Sequence, residues 1–268
     1  MLVPDDNYES FLDSRIEGFM YKDHVPPKSV DWVKKRVVTP PHVQRGQDCW
    51  AHAAVGAVEG INAIRTGKLI KLSEQQVLDC NNLSNGTYGY GYGYPHLAFD
   101  YIFRNGGLAP EALYPYVGKR GPCRKIHSEM VTIDGYQFVP KKCEFSLRQA
   151  VANQPISADI AFDERLECNT RGIIDDMGSC GKLNHSVLVV AYGATSKGRK
   201  FWIIKDSATE KLIYMARNVG SKGGAFGIAR SACFPVKIVG NKQLKIYCHA
   251  QWADNNMYNM QGAPYTID

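Results

Sequence analysis

Gln44-Arg-Gly-Gln-Asp-Cys-Trp-Ala-His-Ala-Ala-Val-Gly-Ala-Val-Glu59 places a cysteine at the head of an apolar, Ala-rich segment. From Asp48 to about Gly67 the pattern predicts one long helix. Ala53, Ala54, Ala57 and Val58 recur at spacings of three and four, and Gly67 is a natural stop. Cys49 then stands at the helix N-terminus, where free backbone N–H groups and the helix dipole bias a thiol toward thiolate. A thiolate facing a cleft is a nucleophile. The competing reading is a small buried apolar cysteine, which describes most free cysteines.

Downstream of this helix the pattern first stays helical. Leu72-Ser-Glu-Gln-Gln-Val-Leu-Asp-Cys80 predicts a second helix, with Ser73 as N-cap and Gln76 as the reciprocal partner of a capping box. Pro95 to Arg104 predicts a third, started by proline and stopped by Gly106 and Gly107. The second half changes character. Strands are expected over Thr132–Val139, Pro155–Ala161, His185–Tyr192, Lys200–Lys205 and Leu212–Arg217, with one short helix over Ser146–Asn153. A helical half followed by a β-rich half predicts an α+β protein of two lobes. The cleft between them is the default place for chemistry.

Composition removes several classes. The 268 residues are 44 % hydrophobic and 22 % charged, an ordinary globular balance. The net charge of +6 is scattered in short runs, which argues against nucleic acid as a partner. No apolar run reaches the ~18 residues of a membrane span, so no membrane partner is expected. Met1-Leu-Val-Pro-Asp-Asp lacks the pattern of a signal peptide. Eight dispersed cysteines contain no Cys-x-x-Cys pair, so zinc-ribbon spacing is absent; no metal and no cofactor are expected. Two glycan acceptor patterns, at Asn82 and Asn85, fall in one polar Gly-rich loop, and with the cysteines they point to an oxidising, secretory compartment.

A cysteine nucleophile needs a base, and the base needs an orienter. His185 opens an apolar strand 136 residues after Cys49, and Asp206 closes the next one. In an antiparallel hairpin the start of one strand lies beside the end of the next, so Asp206 can accept a hydrogen bond from the His185 ring. Read singly, His185 is a structural histidine and Asp206 a solvated strand end.

These residues and their surroundings resemble the papain-like cysteine peptidases of the plant type. The resemblance runs through Gln44 with Cys49-Trp-Ala-His52, Val58-Glu-Gly-Ile-Asn-Ala-Ile-Arg-Thr-Gly, Leu72 to Cys80, Tyr114-Pro-Tyr-Val-Gly, Asn184-His-Ser-Val-Leu-Val-Val-Ala-Tyr-Gly193 and Phe234-Pro-Val-Lys237. It implies the papain-like two-lobed fold, a peptidase domain over 26–238, a propeptide or leader remnant over 1–25 and an atypical extension over 239–268. It implies Cys49 as nucleophile, His185 as base, Asp206 as orienter, and Gln44 with the Cys49 backbone as oxyanion donors. The substrate, a peptide or small molecule, would lie in a cleft bordered by Tyr92, Gly93, Pro95, Asp159 and Ser186. Cys80 and Cys123 match one of the family's disulfides. A monomer in the secretory pathway, vacuolar or extracellular, is expected.

Several positions depart from the family's pattern. Asp206 replaces the orienting asparagine, and the tryptophan that shields its bond to histidine is absent, so a wetter, weaker His185–Asp206 contact is expected. The Gln44–Cys49 spacing is one residue short, which is expected to displace Gln44 from the oxyanion, a loss of roughly 10²–10³ in rate. Gln47 and Tyr90 replace both ends of one bridge. Phe226 replaces the partner of Cys180, leaving Cys233 or Cys168 as candidate partners. Tyr92 narrows the cleft, while His52 and Asp159 suggest a remodelled polar pocket for a basic or hydroxylated group. Three readings stand: a thiol peptidase of reduced or altered activity, a repurposed Cys–His enzyme on a non-peptide substrate, and a non-catalytic peptide- or protein-binding relative.

Overall fold

Two glycines set how the central helix meets the sheet. Helix α1, Cys49–Thr66, is buried on every side from Cys49 to Ala63. A Cβ at Gly56 would lie 2.8 Å from Leu188, and one at Gly60 would lie 2.7 Å from Pro155. These i, i+4 glycines therefore bring the helix backbone down onto the β-rich half. Gly67 ends the helix in the left-handed conformation (φ 74°), and its N–H returns to Ala63 O. The computed structural model describes residues 18–81, 93–162, 166, 172–175, 181–219 and 223–238.

Helices α2 (Glu74–Cys80) and α3 (Pro95–Arg104) pack beside α1, and α4 (Glu144–Val151) lies in the second half. The Ser73 hydroxyl caps α2 by accepting from Gln76 N. The return arm of the expected capping box is not made, because Gln76 Oε1 accepts from Ala109 N and Ser73 N–H donates to Ala109 O. A neighbouring chain segment has taken the place of the local partner.

The strands are β1 (Val30–Asp31), β2 (Gly135–Phe138), β3 (Ile156–Ile160), β4 (Ile173–Ile174), β5 (His185–Ala194), β6 (Lys200–Asp206), β7 (Lys211–Ala216) and β8 (Ala232–Val236). They form one sheet in the order β2-β8-β3-β5-β6-β7-β4, with β1 added to β5. Sequence patterning misses β8, because Pro235 reads as a strand breaker. Its pairing with β3 ends at Cys233, two residues short of that proline.

Alternation along β5 serves two cores. Val187 and Val189 face one cluster with Trp202, Phe226 and Phe234, while Leu188 and Val190 face the other with Trp50, Val58 and Phe99. A register shift between Val189 and Ala191 keeps Ala191 on the helix side and returns Tyr192 to the other. The result is the α+β arrangement of a helical half against a β-rich half. It brings the N-terminus of α1 to the start of β5 and the end of β6.

Candidate active site

Helix α1 begins at Cys49 and β5 begins at His185, which brings the two side chains close enough for each to shift the other's ionisation. The hairpin β5–β6 then delivers Asp206, whose Oδ1 lies 2.6 Å from His185 Nε2. With Nε2 committed to Asp206, Nδ1 is the ring nitrogen left to serve Cys49. The Ser186 backbone N–H also points at the sulfur, 3.4 Å away. Phe162 packs edge-on against the imidazole.

The expectation of a wet, weak His185–Asp206 contact is corrected here. Both side chains are buried, and Asp206 is 1 % exposed. Its remaining capacity is filled by the turn that follows β6: Oδ2 accepts from Thr209 N at 3.0 Å and Thr209 Oγ1 at 2.6 Å, and Ala208 N donates to Oδ1 at 3.3 Å. The shortened loop thus folds its own donors onto the carboxylate.

The electrostatics follow from this packing. Burial opposes charge on Asp206, but the bonds from His185 and Thr209 outweigh it and hold its carboxyl below the ordinary range. Burial alone would lower the His185 pKa. The Cys49 sulfur beside it and the Asp206 hydrogen bond win, raising it to about 10. Burial likewise penalises a charged Cys49, yet the adjacent His185 pulls its thiol down. The two shifts agree on one state, a thiolate–imidazolium pair backed by a carboxylate.

The chain matches the family described as "Papain family cysteine protease" over residues 26–236. It belongs to that family. It is 41 % identical over 239 residues to the cysteine endopeptidase Rep1 of Oryza sativa subsp. japonica, covering 85 % of this chain and 63 % of that protein. Against the cysteine protease Amb a 11.0101 of Ambrosia artemisiifolia it is 44 % identical over 219 residues, 78 % of this chain and 55 % of that one. The chain thus spans less than two thirds of these curated relatives. Among solved structures, the Amb a 11 proform superposes with TM-score 0.75 at 42 % identity, covering 81 % of this chain and 68 % of that chain. Bromelain of Ananas comosus, in complex with the E64 inhibitor, superposes with TM-score 0.73 at 37 % identity, covering 79 % and 100 %.

The other residues singled out in this papain-family chain divide into three groups. Gln44 lies on the loop before α1, but one amide proton goes to its own loop at Gly46 O (2.7 Å). Its Oε1 accepts from Ser207 Oγ (2.8 Å), and its backbone N–H donates to Ser207 O (3.0 Å). Gln44 therefore ties its loop to the turn after β6. Asp159 is 2 % exposed on β3, with Oδ1 accepting from Ser186 Oγ (2.7 Å) and Oδ2 from Ser231 Oγ (2.6 Å). Gly93 lies against Trp50, where a Cβ would meet the indole at 2.6 Å, and Pro95 starts α3.

Cys80 and Cys123 are disulfide-bonded. Cys233 is buried and unbridged, which corrects its candidacy as partner of Cys180. Burial and the nearby Asp159 charge push its thiol well up, so it is inert. Tyr90, Tyr92, Asn82, Asn85, Cys168, Cys180, Cys248 and residues 239–268 lie outside the described residues.

Two features escaped the sequence reading. Lys205 and Glu59 meet behind the site: Lys205 Nζ donates to Thr39 Oγ1 at 2.9 Å, and Thr39 Oγ1 donates to Glu59 Oε2 at 2.6 Å. This buried polar chain joins β6 to α1. The second is the surroundings of His52, taken up below.

Proposed function

We propose that the chain is a thiol peptidase of altered activity that uses Cys49 as nucleophile, His185 as acid and base, and Asp206 as a charged orienter. The observation that carries the reading is the buried line from Cys49 through His185 to Asp206, ending in the 2.6 Å contact. The Cys49 thiolate attacks a peptide carbonyl carbon, and the His185 imidazolium gives its proton to the departing amine. Water then adds to the thioester with its proton passing to His185, and the acid product leaves as Cys49 is restored. Asp206 holds the ring in one orientation and favours its charged form throughout.

Two features support alteration. Gln44 spends a donor on Gly46, which weakens its service to an oxyanion. Asp159 spends its oxygens on Ser186 and Ser231, and its buried charge, relayed through Ser186 beside the nucleophile, favours a basic or hydroxylated substrate group in the cleft. The disulfide supports an oxidising compartment, and we place the protein in the secretory pathway, vacuolar or extracellular. Among the described residues no helix is long and apolar enough to cross a membrane. The proposed peptidase domain is 26–238, flanked by a leader remnant and the extension over 239–268, and it acts as a monomer.

A mixed peptide library, incubated with the protein and with its Cys49→Ala variant, tests this. Cleavage by the first and not the second is expected. Equal product in both would refute the role of Cys49, and no product from either would favour a binding protein or a non-peptide substrate.

A further inference from the structure

His52 lies one helical turn after Cys49, and its surroundings have no part in the chemistry above. His42 comes from the segment leading into the loop before α1, and Glu74 is the first residue of α2. One ligand-capable atom from each of the three side chains lies within 4.8 Å of the other two. The two imidazoles lie 5.7 Å apart at 30°, and the Tyr116 ring stands edge-on to both.

The polar atoms here are unusually short of partners. His42 Nδ1, His52 Nε2 and Glu74 Oε2 are buried without a hydrogen bond. Buried polar atoms are nearly always paired, and three from one cluster call for an occupant. Lys71 holds Glu74 Oε1, which leaves Oε2 as the open oxygen. A cavity of about 10 Å³ is lined by His42, His52, Glu74, Ser186, Lys205 and Ser207, room for one water-sized occupant.

The chemistry of the set narrows the occupant. His52 Nδ1 is 3.6 Å from Glu74 Oε1, and its Nε2 is 3.6 Å from Asp48 Oδ2. Each ring nitrogen thus has a carboxylate oxygen beside it at a distance too long for a hydrogen bond, so the ring sits among anions with Nε2 unpaired. Two carboxylates, Glu59 and Glu74, offset two ammonium groups, Lys71 and Lys205, while Asp48 lies beside His52. Two imidazoles and a carboxylate suit zinc-like first-row cations better than calcium or magnesium, which want oxygen alone. A tetrahedral ion at ~2.0–2.1 Å holds its ligands about 3.4 Å apart, so closing from 4.8 Å takes little more than an ångström.

We propose that His42, His52 and Glu74 bind one divalent transition cation of the zinc class. The ion would join the segment before the nucleophile, the first turns of α1 and the start of α2. The site stands independently of the peptidase reading.

The test uses full-length Cys49→Ala protein, so that the catalytic thiolate cannot serve as a ligand. Zinc binding is measured by calorimetry, and Co²⁺ is used as a spectroscopic probe. One equivalent should bind, with tetrahedral d–d bands and no sulfur-to-metal charge transfer. Adding His52→Phe should weaken binding by about a hundredfold or more. His42→Ala, at a partly exposed position, is the second variant and should do the same if His52→Phe fails to fold. Failure of the Cys49→Ala protein to bind would overturn the proposal. So would unchanged affinity in either folded variant, which would place the ion elsewhere.

Discussion

Asp206→Asn isolates the charge on the orienter. The substitution keeps an acceptor oxygen for His185 but removes the anion 2.6 Å from its Nε2. Two unit charges at that separation interact by at most about 6 kcal/mol at an effective dielectric of ~20. Desolvation and relaxation reduce this to the one to three pKa units typical of a close opposite charge, about 1.4–4 kcal/mol. The His185 pKa should therefore fall from about 10 by that amount. Because the folded value lies above the unfolded 6.5, the wild-type contribution to stability is complete below 6.5 and is lost as pH rises through about 10. In the variant the loss should finish at correspondingly lower pH. Asp206 adds an opposite dependence: its folded pKa is depressed below 3.8, so its contribution is present above 3.8 and is lost as pH falls through the folded value. The imidazole nitrogen chemical shifts of His185, followed by NMR across pH, read the first effect directly. Equal midpoints in the two proteins, or a wild-type midpoint near 6.5, would refute the reasoning.

Gln44→Ala should cost less than about tenfold in kcat, against the roughly 10²–10³ expected of an oxyanion donor, because its amide is tied to Gly46; steady-state kinetics decide. Asp159→Val should lower kcat/KM for substrates with a basic group near Ser186 by about fivefold while sparing apolar ones, as a charge felt without a direct bond is worth about 1 kcal/mol; a paired substrate panel checks this. Glu59→Ala should destabilise the fold by about 3–5 kcal/mol, since it leaves buried Lys205 with Thr39 in place of a nearby carboxylate and unpairs Leu72 N–H, while Lys71 keeps Glu74; urea denaturation measures it.

Most of the architecture is legible because local chemistry and the fold agree. The α1 stop at Gly67, the proline start of α3 and the strands β3, β5, β6 and β7 follow from patterning alone. β8 is hidden by Pro235, which is tolerated because the β3 pairing stops short of it. Gln76 departs from its local role because Ala109, distant in sequence, offers a better-placed donor.

The site divides in the same way. Cys49, His185 and Asp206 are found from the helix start and the hairpin rule. The strength of the His185–Asp206 contact is not, because it depends on Thr209 folding back onto the carboxylate. His52 is visible as a polar residue in a buried helix, but nothing in the one-dimensional pattern places it beside His42 and Glu74. That grouping exists only once the loop, α1 and α2 are packed together.

The central claim is that Cys49 is an activated nucleophile paired with His185. The direct measurement is the rate at which an epoxide inhibitor of the E-64 type modifies the protein at mildly acid pH, with the adduct mapped by mass. The account predicts an adduct on Cys49 forming far faster than on free cysteine, and its disappearance in the His185→Ala variant. A Cys49 that stays unmodified, or that reacts no faster than free cysteine, would contradict it.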